Sequence, residues 1–174
     1  MRIIAGTHKG RKINHKNNLN VRPTTDRAKE GLFNIIENRY FLTEKNMLDL
    51  FSGTGNIAFE FASRGVENII AVDNNPHCLE SIKNTSEDFK LNINTVQSDV
   101  LKYVKSCQNQ FNFIFADPPY NYKGHQELKE MIINGNLIKK DGLLIIEHDR
   151  EITFDDKNVD TRKYGAVHFS LFYF

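Results

Sequence analysis

Apolar residues fall along this chain in two alternating patterns. Short runs with almost no polar interruption, "NMLDLF", "ENIIAVD", "INTVQSD" and "FNFIFA" from Phe111, predict strands buried on both faces. Between them lie segments with apolar residues three and four apart, which predict helices. The first helix is "RPTTDRAKEGLFNIIENRY": Pro23 fixes its entry, Thr24 or Thr25 caps it, and Ala28, Leu32, Ile35 and Ile36 share a face. Further helices are expected from about Asn56 to Arg64, from Pro76 to about Lys90, near Leu101 to Ser106, and from about His125 to Ile133. "GLLIIEH" and the β-prone "VHFSLFYF" supply the last strands. A regular β-α-β rhythm of this kind predicts an α/β fold with a mostly parallel, doubly wound sheet covered by helices on both faces.

The run "FNFIFADPPYNY" ends abruptly. Pro118 and Pro119 each remove a backbone donor and fix φ, so they stop the strand and leave Asp117 and Tyr120 on a stiff ledge. A strand stop with a capping carboxylate is the plainest explanation of this stretch taken alone.

Length and composition narrow the classes. With 174 residues, 40% of them hydrophobic, the chain suits a single domain over 1–174 with one substantial core. No run approaches the ~20 apolar residues of a membrane span, and "MRIIAGTHKG" lacks a signal-peptide core, which places the protein in the cytoplasm with no membrane partner. Cys78 and Cys107 form no CxxC and read as free thiols, and no metal site is expected. Asn84-Thr85-Ser86 matches a glycosylation sequon that has no use without secretion.

Charge adds an asymmetry hidden by the net value of +1. Within residues 1–29, Arg2, Lys9, Arg11, Lys12, Lys16, Arg22, Arg27 and Lys29 face a single acid, Asp26. One basic end suggests a polyanion partner. A solvated tail is the alternative, but Ile3, Ile4, Ile13 and Val21 with Gly6 and Gly10 suit an ordered basic hairpin or arm over 1–29, ahead of a catalytic α/β core over 30–174. Arg2, Lys9, Arg11, Lys12, Arg22 and Arg27 are its candidate phosphate contacts.

In a doubly wound sheet, ligands collect beyond the carboxyl ends of the strands. The first strand leads into "DLFSGTGN", where Gly53 and Gly55 permit a tight turn and close approach to the backbone. The next three end at Asp73, Asp99 and Asp117. A GxG turn or a post-strand Asp is often only a turn or a helix cap. Together they specify a nucleoside site, with Asp73 placed to accept ribose hydroxyls. Ala58 stands at the third position of a dinucleotide fingerprint, so the glycines do not choose between a nucleoside cofactor and NAD.

The order of "DLFSGTG", Asp73, Asp99 and "DPPY" resembles the motif series of class I S-adenosylmethionine-dependent methyltransferases acting on exocyclic amino groups. "MRIIAGTHKGRKI", "RPTTDRAKEGLFNII", "LDLFSGTG", "ASRG", "FADPPY", "LLIIEH" and "RKYG" are similar in order and spacing to the RsmD-type 16S ribosomal RNA guanine-N2 methyltransferases, over nearly the whole chain. "DPPY" is shared with DNA adenine methyltransferases, whereas "RPTTDR" after a basic hairpin is more specific. Asp73 replaces a frequent Glu and Ser52 a frequent Ala.

The resemblance implies a Rossmann-like class I methyltransferase fold and methyl transfer from S-adenosylmethionine to a guanine N2 in 16S ribosomal RNA, within an assembled small ribosomal subunit, by a monomer. It implies catalytic roles for Asp117, Pro118, Pro119 and Tyr120. It puts Asp73 on the ribose, Asp99 on the adenine amino group, and Asp49, Gly53 and Gly55 around the methionine part. Phe51 and Ser52 complete the turn, and Asn74 and Val100 flank the adenine. Asn121 and Tyr122 are within reach of the base. His77, His125 and His148 read as surface or satisfied histidines rather than bases. Competing readings are a DNA adenine-N6 methyltransferase, for which no target-recognition insert is visible, a catalytically silent RNA-binding module, and an NAD-dependent oxidoreductase.

Overall fold

The apolar runs become a seven-stranded sheet in the computed structural model, which describes residues 1–13, 24–156 and 159–174. In chain order, β1 spans Asn46–Leu50, β2 Asn68–Asp73, β3 Ile93–Gln97, β4 Phe111–Ala116, β5 Ile138–His148, β6 Asp160–Tyr164 and β7 Val167–Tyr173. The helices are α1 (Asp26–Glu37), α2 (Asn56–Ser63), α3 (Pro76–Phe89), α4 (Val100–Ser106) and α5 (His125–Asn134). The strand order is β3-β2-β1-β4-β5-β7-β6. The first five strands are parallel, and β7 runs antiparallel to both of its neighbours. Between β1 and β4 the winding reverses, and a crevice opens at the carboxyl ends there.

Alternation within each strand divides the core into two layers. Met47, Phe113, Phe115, Leu143 and Ile145 pack under α1, α2, α3 and the N-terminal segment. Leu48, Leu50, Ile114, Ala116, Leu144 and Ile146 face α4 and α5. The expected doubly wound sheet, helices on both faces, is therefore present.

Residues 1–13 fold back on themselves through a bridge between Arg2 and Lys12, with Ile3 and Ile13 buried. Lys16, Val21, Arg22 and Pro23, which the sequence reading assigned to the arm and the helix entry, lie outside the described residues. The short hairpin rests on α2: Glu60 accepts from the Ile4 and Ala5 amides at 2.8 and 3.0 Å. A Cβ on Gly6 would come within 1.9 Å of the Ser63 carbonyl oxygen, so only glycine permits the approach. Every residue of α2 is buried. Glu60 there also pairs with Lys29 at 3.1 Å and Arg64 at 2.8 Å, and both Lys29 and Glu60 are fully buried.

One expectation needs correction, and one strand was not expected. The buried stripe of α1 comprises Ala28, Lys29, Leu32, Phe33 and Ile36, with Ile35 only half-buried, because the hairpin covers the Lys29 side of the helix. The strand β6 had no sequence signature: its residues alternate little and stay largely exposed, and its conformation comes from pairing with β7. Other boundaries move little, although β5 begins at Ile138, ahead of "GLLIIEH", with a register shift against β4 between Phe111 and Phe113.

Candidate active site

A cavity of about 970 Å³ opens over the carboxyl ends of the sheet. Its volume is enough for a cofactor and part of a second ligand. On one side lie Asp49, Phe51, Ser52, Gly53, Asp73 and Asn74; on the other, Asp117, Pro118, Pro119, Tyr120, Glu147 and His148.

The first side is built mainly by backbone. Phe51, Gly53 and Gly55 adopt left-handed φ values of 57°, 52° and 77°, forming the tight turn between β1 and α2. A Cβ on Gly55 would meet Ile82 at 2.9 Å and Phe59 at 3.0 Å, so packing as well as φ requires the glycine. Asp73 secures this turn: Oδ2 accepts from the Gly53 amide and Oδ1 from the Asn75 amide, both at 2.8 Å. Its remaining lone pairs are available to a ligand, since a carboxylate offers about four acceptor positions.

Asp49 sits under the turn on β1 and is buried. Burial pushes its carboxyl up to about 8, against an opposing backbone hydrogen bond from Ala58, while the nearby Asp73 charge adds to the rise. Asp49 Oδ2 and Ser52 Oγ have no hydrogen-bond partner among the described residues. A buried carboxyl oxygen without a donor suits a cationic or N–H-bearing ligand group. The donor set therefore fits the amino-acid end and the ribose of S-adenosylmethionine.

Asp99, Val100 and Gly55 are not among the cavity's lining residues. Asp99 caps α4, accepting from the Lys102 amide at 3.0 Å, and Val100 packs in the core beneath.

The second side is built by strand ends and side chains. Asp117 continues β4: its backbone amide donates a hydrogen bond to the Leu50 carbonyl at 3.3 Å. Pro118 is buried and Pro119 exposed, and Tyr120 is 82% exposed, a presented residue rather than a core one. The Tyr122 amide closes the turn on the Pro119 carbonyl at 2.8 Å, and its ring lies 5.5 Å from Phe51. Burial raises the Tyr122 hydroxyl above its ordinary pKa.

Glu147 follows Ile146 at the end of β5, and its Oε2 accepts from the Thr24 hydroxyl at 2.7 Å. The Thr24 carbonyl accepts from Asn56 Nδ2 at 3.2 Å, and Asn56 Oδ1 accepts from Lys29 at 2.8 Å. Sequence reasoning missed this chain of side chains, because each member is separated in sequence from its partner by about 25 residues or more.

The histidines divide. His77 is exposed, whereas His125 and His148 are buried at the cavity. Burial lowers both rings' pKa values, and for His125 the His148 charge adds to the lowering. His148 lies 2.8 Å from Ser170 Oγ and 2.7 Å from the Asp149 carbonyl, as a satisfied core histidine does. His125 Nδ1 has no partner among the described residues. Burial also lifts the Cys78 thiol to about 11, which keeps it protonated and unreactive. Cys107 is likewise a free thiol, and no metal-binding group of acids, histidines and cysteines occurs among the described residues. No helix among them is long and apolar enough to cross a membrane.

Of the basic residues expected on the arm, Arg2, Lys9, Arg11, Lys12 and Arg27 are all exposed. Arg2 pairs with Asp26 at 2.8 Å, and the Arg11 guanidinium lies 3.7 Å from the Phe89 ring centre. Arg22 is outside the described residues.

The family model described as conserved hypothetical protein 95 matches residues 1–173. YlbH of Bacillus subtilis is 32% identical over 182 residues, covering 99% of this chain and 98% of its own length. Ribosomal RNA small subunit methyltransferase D of Haemophilus influenzae is 28% identical, covering 87% and 80% respectively. Among solved structures, yhhF from Escherichia coli superposes with a TM-score of 0.85 at 24% identity, covering 98% of this chain and 96% of that one. A Thermus thermophilus 16S rRNA N2 G1207 methyltransferase, in complex with AdoMet and guanosine, superposes at 0.68 with 16% identity over 86% of this chain and 43% of that one.

Proposed function

The chain belongs to the RsmD-type methyltransferase family, and on that premise we propose that it transfers a methyl group from S-adenosylmethionine to the exocyclic N2 of a guanine in small-subunit 16S ribosomal RNA. The observation that carries this reading is the shared cavity: Asp117-Pro118-Pro119-Tyr120 and the Gly53 turn with Asp73 open onto one space. The guanosine in the Thermus structure supports guanine as the base, as does the relative's name for the RNA.

Asp49, Ser52, Gly53 and Asp73 would hold the cofactor, with Asn74 beside them. When bound, S-adenosylmethionine supplies a methyl group on a sulfonium, whose S–C bond breaks with its electron pair going to sulfur as nitrogen bonds the carbon. The amino group of guanine is a poor nucleophile because its lone pair is delocalised into the ring. Asp117 and the Pro118 carbonyl are suited to accept its two N–H bonds, which localises the pair and aims it into the cavity. Positive charge develops on nitrogen during transfer, so the Asp117 carboxylate stabilises the transition state more than the ground state. One N2 proton then leaves to water. The two prolines keep these acceptors stiff, and Tyr120 offers an exposed face on which an unstacked base can lie. Lys9, Lys12 and Arg27 would supply phosphate contacts from the basic end.

The test is incubation with tritiated cofactor and either small subunits or free 16S ribosomal RNA from a strain lacking the gene, followed by digestion to nucleosides. Label should appear as N2-methylguanosine, and more strongly from particles, because a short arm recognises little by itself. Label in N6-methyladenine, or only in DNA, would overturn the assignment. Equal labelling of free RNA would remove only the particle preference.

A further inference from the structure

Resting on the guanine reading above, the geometry points to Glu147 as the residue that reads the base edge beside the reacting amine, and so as the determinant of guanine over adenine or cytosine. β4 and β5 are parallel neighbours, with Ala116 in register with Ile146. The next residues, Asp117 and Glu147, therefore close adjacent strands side by side, ~4.8 Å apart by the ordinary spacing of a sheet. Residues level with one another in adjacent parallel strands point to the same face, and both of these line the cavity. The site thus presents two carboxylates next to each other, only one of which the transfer step uses.

Thr24 fixes the second carboxylate through its 2.7 Å bond to Oε2, and is itself buried and tied to α2 through Asn56. A carboxylate offers about four acceptor positions, and the Thr24 hydroxyl takes one of them. Guanine is the base whose exocyclic amine neighbours a ring N–H: N2–H₂ and N1–H stand together as donors. Adenine N6 and cytosine N4 each neighbour an unprotonated ring nitrogen, an acceptor. With N2 on Asp117, guanine would place N1–H toward Glu147 and form a second charged hydrogen bond. Adenine or cytosine would place a lone pair against the same carboxylate, a mismatch that sets two acceptors face to face. The tetrapeptide at 117–120 alone does not separate guanine from adenine chemistry, so Glu147 supplies what that motif lacks.

The experiment replaces the target guanine, located by nucleoside mapping of the labelled RNA, with 2-aminopurine in ligated RNA. The RNA is presented as particle or free, whichever accepts label. 2-Aminopurine keeps the 2-amino group but has an acceptor at N1. The unmutated enzyme should prefer guanine by about 10- to 100-fold in kcat/KM, the discrimination expected of a well-formed base-edge contact. Glu147→Gln can turn its amide NH₂ toward an N1 acceptor, so this ratio should fall to about one or invert, with cofactor affinity unchanged.

A wild-type ratio near one overturns the proposal without reference to any variant. So does a Glu147→Gln enzyme that keeps the wild-type ratio, or one that binds cofactor normally yet methylates neither base. Should that variant fail to bind cofactor, Glu147→Ala is read in the same way, with loss of the guanine preference expected. Absence of N2-methylguanosine with the unmutated enzyme would defeat the underlying reading instead, and the nucleoside digest separates the two failures.

Discussion

The two sides of the cavity are made differently. Around the Gly53 turn, the surface is backbone held by backbone: left-handed residues, a helix start and an aspartate whose two oxygens each bind an amide. Across from it, the surface is made of side chains at strand ends, with Tyr120 largely exposed and Glu147 positioned by a threonine from a distant part of the chain. A small ligand of constant shape suits a preformed, rigid site, whereas a base delivered by a large RNA needs an open face whose side chains select. The difference implies that binding and transfer can be damaged separately.

The sharpest way to break that division is Asp117→Ala. It should fold and bind cofactor normally while losing about 10²- to 10³-fold in kcat, the cost of removing one preorganised group at developing charge. Calorimetric cofactor affinity that falls in parallel would show that the sides are not separable.

A smaller effect is expected on the rigid side. Asp73→Ala removes the anchor of the Gly53 amide and a ribose acceptor, and should weaken cofactor binding by about 1–3 kcal/mol. Unchanged titration isotherms would remove Asp73 from the site.

A pH dependence centred on Asp49 tests the same rigid side, and over a single pH unit it is the smallest of the three effects. Its folded value of about 8 lies above the ordinary 3.8, so the folded protein holds an extra proton between those values. Stability is fully present below pH ~4 as far as this group is concerned, declines as pH rises toward 8, and flattens above it. A cationic cofactor group beside Asp49 would expel that proton. Cofactor affinity should then rise by up to ~10-fold per pH unit below pH 8. Asp49→Asn should flatten both profiles, measured by urea unfolding and by titration in buffers of differing ionisation enthalpy.

The parallel core was legible because its strands carry uninterrupted apolar runs, and the helix ends because Thr25, Asn75-Pro76 and the glycines carry local signals. What escaped has no local signal. β6 is polar and extended only because β7 lies beside it. Lys29 and Glu60 look like solvated helix charges until the hairpin covers them. Asp99 could be placed at a strand end, but its role as the α4 cap depends on the path of the following turn. Glu147 stood in plain view within "LLIIEH", yet its place beside Asp117 is a property of register, which sequence spacing does not give.

The docking of residues 1–13 onto α2 has a consequence for how the protein is made. The Ile4 and Ala5 amides wait for a carboxylate 56 and 55 positions later, and the His8 ring meets the Phe89 carbonyl across 81 positions. At a synthesis rate of about 5–20 residues per second, the leading segment spends some 3–11 s outside the ribosome before Glu60 follows it. During that interval its basic side chains have no docked position, and they sit beside the ribosome that is making them, itself a polyanion of RNA. By order of emergence, residues 1–13 stay undocked until α2 and the end of α3 have followed them out of the ribosome.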